Sequence, residues 1–126
     1  MDDYRVLVYG GRDFFDEQWL KSELCDLVWQ RRRFASVPKQ VKTLIHGGAR
    51  GVDKMAGSFG IGCGLDVVEF KADWNRHGKA AGPIRNEQMR VEGNPDLGVA
   101  FPGGRGTADM TRRLRDAGVP IIEVTR

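Results

Sequence analysis

The sequence predicts an α/β fold, a three-layer sandwich with helices on both faces of a mostly parallel five-stranded sheet. Three observations predict it. Five short apolar runs alternate with four helix-period segments along 126 residues, and alternation of this kind builds a parallel sheet with crossover helices. Three of the strand-like runs end in glycine clusters: Gly10-Gly11-Arg12-Asp13, Gly47-Gly48-Ala49-Arg50-Gly51 and Pro102-Gly103-Gly104-Arg105-Gly106-Thr107. Hydrophobic residues make up 40% of the chain, enough for one globular core without staples.

Strand one is expected over Arg5–Tyr9, followed by a loop from Gly10 to Phe15. Asp16 is placed as an N-cap for a helix running to about Phe34. Its apolar residues Leu20, Leu24, Leu27 and Val28 follow i, i+4, i+7, i+8. Trp19 and Trp29 widen that stripe, which either buries itself in the core or meets a partner subunit. Arg31-Arg32-Arg33 reads as a solvated helix end, where cations favour the dipole. A polar link, Ser36–Gln40, leads into strand two, Val41–Ile45.

The His46 loop and a helix to about Gly60 come next, then strand three over Leu65–Phe70. The polar stretch from Lys71 to Gly82 has no periodicity and reads as a functional or mobile loop. Pro83 suits the first turn of a helix reaching about Glu92. Strand four is Asp96–Phe101, the last helix Gly106–Ala117 and strand five Pro120–Val124. Gly118 fits the position just past the last helix, and Pro120 stops its continuation. Residues 1–126 form one domain in this reading.

Right-handed crossovers carry all three glycine loops to the carboxyl edge of the sheet, where α/β folds bind ligands. Glycines there let backbone N–H groups face a ligand, and a helix N-terminus adds about half a positive charge. The dinucleotide fingerprint G-x-G-x-x-G is absent, as is the P-loop sequence of nucleotide triphosphatases. Arg12, Arg50 and Arg105 sit within the loops, suited to bidentate phosphate contacts or to pairing with Asp13 and Asp53. Arg85 opens a helix beside Asn86 at the crevice edge. Asp53 could bind a ribose hydroxyl or cap its helix. Trp74 could stack on a base or plug the core beneath its loop.

The chain holds 20 basic and 17 acidic residues, a net charge of +3, which suits an anionic ligand. His46 and His77 are its two histidines and Cys25 and Cys63 its two cysteines. Their spacing suggests no metal site and no cofactor, and both cysteines read as reduced core residues of a cytoplasmic protein. No apolar run approaches the length of a membrane span. No nucleophile elbow is visible.

Several segments resemble known families. His46-Gly47-Gly48-Ala49-Arg50-Gly51-Val52-Asp53 is similar to the S-G-x-A-R-G-I-D segment of the DNA-processing protein A (Smf) family. Pro83-Ile84-Arg85-Asn86 resembles that family's F-P-x-R-N segment. Pro102 to Thr107 resembles the P-G-G-x-G-T motif of the lonely-guy phosphoribohydrolases, and Arg85 with Met89 resembles their R-K-x-x-M. Both belong to the SLOG superfamily of Rossmann-like nucleotide-binding proteins. Over nearly its whole length the chain looks most like the small YspA-type, cpYpsA-related branch.

The resemblance implies a nucleotide or nucleotide-derived ligand, a nucleoside monophosphate or an ADP-ribose-like molecule, with the protein acting as sensor or enzyme. It offers two alternatives, a single-stranded DNA-binding module and an N-glycosidic phosphoribohydrolase. Against catalysis, the phosphoribohydrolase glutamate falls at Met110, and Asp109 is rotated about 100° around the helix. Arg85, Glu87 and Asp13 are the remaining catalytic candidates. The phosphoribohydrolases of the superfamily are dimers, which with helix one makes a homodimer the expectation.

Overall fold

The computed structural model of the protein describes residues 3–126. The five strands are β1 Tyr4–Tyr9, β2 Val41–His46, β3 Asp66–Glu69, β4 Leu97–Ala100 and β5 Ile121–Glu123. All pair in parallel, in the order β3-β2-β1-β4-β5. The helices are α1 Glu17–Val28, α2 Val52–Gly62, α3 Trp74–His77, α4 Ala81–Val91 and α5 Arg105–Asp116. The chain winds outward through β2 and β3, then crosses back to lay β4 on the other side of β1. The winding therefore reverses between β1 and β4, and their carboxyl ends open a crevice there.

Alternation along β1 divides the core. Val6 and Val8 face Leu20, Leu24, Phe34, Val52 and Ala56 on the α1/α2 side. Leu7 and Tyr9 face Met89, Met110 and Leu114 on the α4/α5 side. Both faces are covered, which is why these strands read as continuous apolar runs rather than alternating ones.

The three glycine loops are tied by backbone bonds. Gly11 N–H donates to the Pro102 carbonyl at 2.9 Å, and the Gly11 carbonyl accepts from Val52 N–H at 3.2 Å. Gly51 makes this approach, with φ +81° and no room for a side chain, since a Cβ would overlap the Gly11 carbonyl.

Helix one is shorter than its sequence suggests. It ends at Val28, and Gln30 and Arg32 take positive φ values of 54° each before a 3-10 turn at Arg32–Phe34. Asp26, buried near the helix end, draws Arg31 and Arg32 to 3.5 and 3.4 Å. The arginine run thus lies in a turn folded around one carboxylate. Trp19 packs on Phe14 and Phe101 within the protein's own core, so only Trp29, 68% exposed, still argues for a subunit contact. Lys71–Gly82 is also more regular than expected. Asp73 accepts from Arg76 N–H and caps the four-residue α3, and α4 starts at Ala81, two residues before Pro83. Cys25 is half-buried and Cys63 exposed, so neither is a fully buried core residue. Among the described residues no helix is long and apolar enough to cross a membrane.

Gly51→Ala should lower stability by at least about 2 kcal/mol, combining left-handed strain with overpacking. Gly62→Ala, where open space surrounds the glycine at the end of α2, should cost nothing. Urea unfolding of the two variants checks the contrast.

Candidate functional site

The crevice is a cavity of about 610 Å³ with Gly10, Gly11, Ala49, Gly104, Gly106 and Thr107 along its rim. Its floor begins with a buried knot. Asp53, 5% exposed, turns its Oδ2 back toward the loop before its own helix and accepts from Gly47 N–H at 3.2 Å and Ala49 N–H at 3.4 Å. Arg85 on α4 donates through Nη1 to the Gly47 carbonyl and through Nε to Asn86 Oδ1 at 3.1 Å. Gly47 has to be glycine, because a Cβ would stand 2.6 Å from Arg85 Nη1 and 2.9 Å from Asp53 Oδ2. Burial pushes the Asp53 carboxyl up to about 6, although Arg85 and the two amides pull it down. Burial also lowers Arg85 below the ordinary arginine range, with Asp53 opposing.

His46 completes the loop. Its Nδ1 accepts from Gly48 N–H at 3.0 Å, and its ring packs where a side chain on Gly57 would collide. Burial lowers its pKa, with Glu69 opposing, and the bond from Gly48 needs Nδ1 without a proton. The N–H groups of Gly47, Gly48 and Ala49 are therefore spent within the protein. This loop holds its shape and does not offer those amides to phosphate.

The α5 loop differs. Gly104 begins the helix with no side-chain cap. Helix geometry leaves the N–H groups of Arg105, Gly106 and Thr107 without intrahelical partners, and all three residues line the crevice. Asn86 Nδ2 binds the Gly106 carbonyl at 3.3 Å and Asp109 Oδ2 at 3.0 Å, fixing α4 to α5. Burial raises the Asp109 pKa, but hydrogen bonds from Arg113, Asn86 and Arg112 outweigh it and hold the carboxyl below its ordinary value.

Arg12 and Trp74 form the opposite wall. The Arg12 guanidinium lies 4.7 Å from the centre of the Trp74 ring, and Trp74 is 46% exposed. It faces the cavity and does not plug the core. Asp13 lines the same wall and pairs with Arg50 at 2.9 Å, both side chains in solvent.

Of the expected residues, Gly10, Gly11, Arg12, Asp13, Ala49, Asp53, Trp74, Arg85, Asn86, Gly104, Arg105, Gly106 and Thr107 line this crevice. Gly47, Gly48 and Arg50 line a smaller cavity next to it. Gly51, Pro102 and Gly103 line neither; they make the loop-to-loop approaches, and Gly103 has no room for a Cβ against Thr107 and Gly11. Glu87 also lies outside, bonded to Arg90 and Arg113, and the Arg90 hydrogen bond is the main reason its pKa falls to about 2. Asp53 caps the preceding loop instead of its helix, whose N-cap is Gly51.

Tyr9, Lys79, Met89, Asp109 and Met110 belong to the lining as well. Asp109 reaches the crevice despite its rotation from the glutamate position, because Asn86 holds it from across the helix pair. Only the Asn86 bond, spanning 23 residues, could reveal this, and no local pattern encodes it. Among the described residues no group of histidine, cysteine or acidic side chains could hold a metal ion.

Comparison with known proteins places the chain. A family model described as the YspA, cpYpsA-related SLOG family matches residues 4–77. The Gene 61 protein of Mycobacterium phage D29 is 37% identical over 125 residues, covering 94% of each chain. The chain belongs to the YspA, cpYpsA-related SLOG family, and that membership suggests a nucleotide-related ligand-binding role.

The knot also generates a pH dependence. The Asp53 pKa is higher in the folded protein than its ordinary 3.8. Its contribution is therefore most favourable below about pH 4 and is lost as pH rises through about 6. Asp53→Asn keeps an acceptor for Gly47 and Ala49 but has nothing to ionise. Thermal unfolding should show the variant gaining on the parent between pH 4 and 7, by up to about 3 kcal/mol for a two-unit shift. A constant difference across that range would contradict the assignment.

Proposed function

We propose that this SLOG-family chain binds a nucleotide or nucleotide-derived ligand in the crevice, with a phosphate at the N-terminus of α5. The observation carrying this reading is the uncapped start of a 12-residue helix opening on a cavity at the point where the sheet's winding reverses. Free N–H groups and the helix dipole favour an anion there, and Arg105 adds a full charge beside them. The volume of about 610 Å³ lies within the range of small-molecule sites. Trp74 offers a face for a base, with Arg12 on the ring. The Asp109 carboxylate, which Asn86 holds toward the crevice, supplies an acceptor on the side suited to ribose hydroxyls.

A single-stranded nucleic acid fits less well. Stacking platforms for strands carry several aromatics in a row. Among the described residues Tyr9 and Trp74 are the aromatics lining the crevice, and Tyr9 is buried, its hydroxyl held by Thr111 at 2.7 Å.

The groups present do not support hydrolysis of an N-glycosidic bond. Met110 cannot move a proton, Glu87 and Asp109 are held ionised by arginines, and Asp53, though raised to about 6, is buried with its Oδ2 on the Gly47 and Ala49 amides. Asp13 sits in solvent, paired with Arg50. Binding without turnover is the reading these groups support, which suits a sensor.

Calorimetry with AMP tests the site. Arg105→Ala should weaken binding by about 1.5 kcal/mol or more, the scale of a charge-assisted hydrogen bond. Equal affinity in the two proteins would remove α5 from the phosphate site. Chromatography of AMP incubated with the protein should show no adenine released at a rate near 1 s⁻¹, the low end for enzymes. Faster release that is lost in Asp109→Asn would overturn the sensor reading.

A further inference from the structure

Beside the crevice lies a second cavity, of about 380 Å³, over the carboxyl ends of β2 and β3. Its charged lining is one-sided: Arg12, Arg50, Lys54, Lys71 and Arg85 against the single carboxylate of Glu69. Arg12, Ala49, Trp74 and Arg85 line both cavities. The two are therefore neighbouring compartments along one wall, with the Arg12–Trp74 pair between them.

The cations here are only partly neutralised. Arg85 is committed to the Gly47 carbonyl and Asn86. Lys54 reaches Glu69 at 3.4 Å with its side chain 57% exposed, and Arg50 reaches Asp13 with both partners in solvent. Exposed pairs of this kind are weak and exchange readily for another anion. Lys71 has no ion pair among the described residues. The nearby amides of Gly47, Gly48 and Ala49 are taken by Asp53 and His46, so an anion here would be held by side-chain charges. The α5 terminus, by contrast, offers backbone N–H groups. Two anion-attracting compartments of different construction share one wall, and a single phosphate can occupy only one of them.

We infer that the ligand is a nucleotide carrying a second phosphoryl group, with one phosphate at the α5 N-terminus and the other among Lys54 and Lys71. This rests on the nucleotide reading of the crevice and narrows it, setting plain monophosphates aside. The second phosphoryl is either adjacent to the first, as in a diphosphate, or on another carbon of the sugar, as in a bisphosphate.

Calorimetry with AMP, ADP and adenosine 3′,5′-bisphosphate separates these. At least one of the doubly phosphorylated nucleotides should bind about tenfold or more tightly than AMP, and whichever gains identifies the spacing. In the Lys54→Ala/Lys71→Ala double variant that gain should vanish while AMP affinity stays within twofold. Equal affinities for all three ligands would overturn the second compartment and leave the nucleotide site standing. A gain that survives in the double variant, or an equal loss for AMP, would also overturn it. Absence of binding by any of the three would overturn the nucleotide reading itself, and this inference with it. Tighter binding of a short single-stranded oligonucleotide than of either doubly phosphorylated nucleotide would replace the small ligand with a strand.

Discussion

The site depends on one buried carboxylate. Asp53 belongs to α2, yet its oxygen binds the two amides of the loop that precedes α2. Arg85 reaches from α4 to the carbonyl of the same loop. One residue of the sheet edge, Gly47, thus receives a donor from one helix and an acceptor from another. The pair is costly to bury, and neither group keeps its ordinary pKa. What it secures is geometry: the turn after β2, the start of α2 and the start of α4 cannot shift relative to one another without exposing an unpartnered charge.

That constraint separates two kinds of glycine loop that look alike in sequence. Both the His46 loop and the Pro102 loop follow strands, and both precede helices. The first turns its amides inward onto Asp53 and His46, while the second leaves the helix start open. The difference lies in what stands three or more residues downstream. Asp53 can fold back onto its loop, whereas Met110 on α5 faces the core and Asp109 is held by Asn86 and Arg113. Glycine spacing alone cannot distinguish a turn whose amides are left open from one whose amides are taken.

Much of the architecture is legible in the order of the residues. Strand and helix order, the parallel sheet and the convergence of the loops follow from apolar periodicity and glycine placement, which are local properties. Most of the crevice lining is legible for the same reason. Sequence and structure part where distant residues decide. Helix one stops at Val28 because Asp26 gathers Arg31 and Arg32 into a turn, although the apolar pattern continues to Phe34. Trp19 looks outward-facing until Phe101, from β4's far end, covers it. Asp109 enters the crevice through Asn86. The short α3 leaves no periodic signal, because four residues are too few for a period to register, even with Asp73 as its cap.

The walls of the crevice are also anchored unequally. Gly11 joins the first and third loops and meets the start of α2, so those segments form one rigid frame. The wall carrying Trp74 closes its hydrogen bonds on itself, from Asp73 to Ala81, and touches the frame through the stacking of Arg12. A lineage could therefore lengthen, shorten or rewrite that segment without disturbing the fold, while any insertion in the glycine loops would break the frame. Divergence among relatives should accumulate in the residues around Trp74, with the glycine-loop frame inherited almost unchanged.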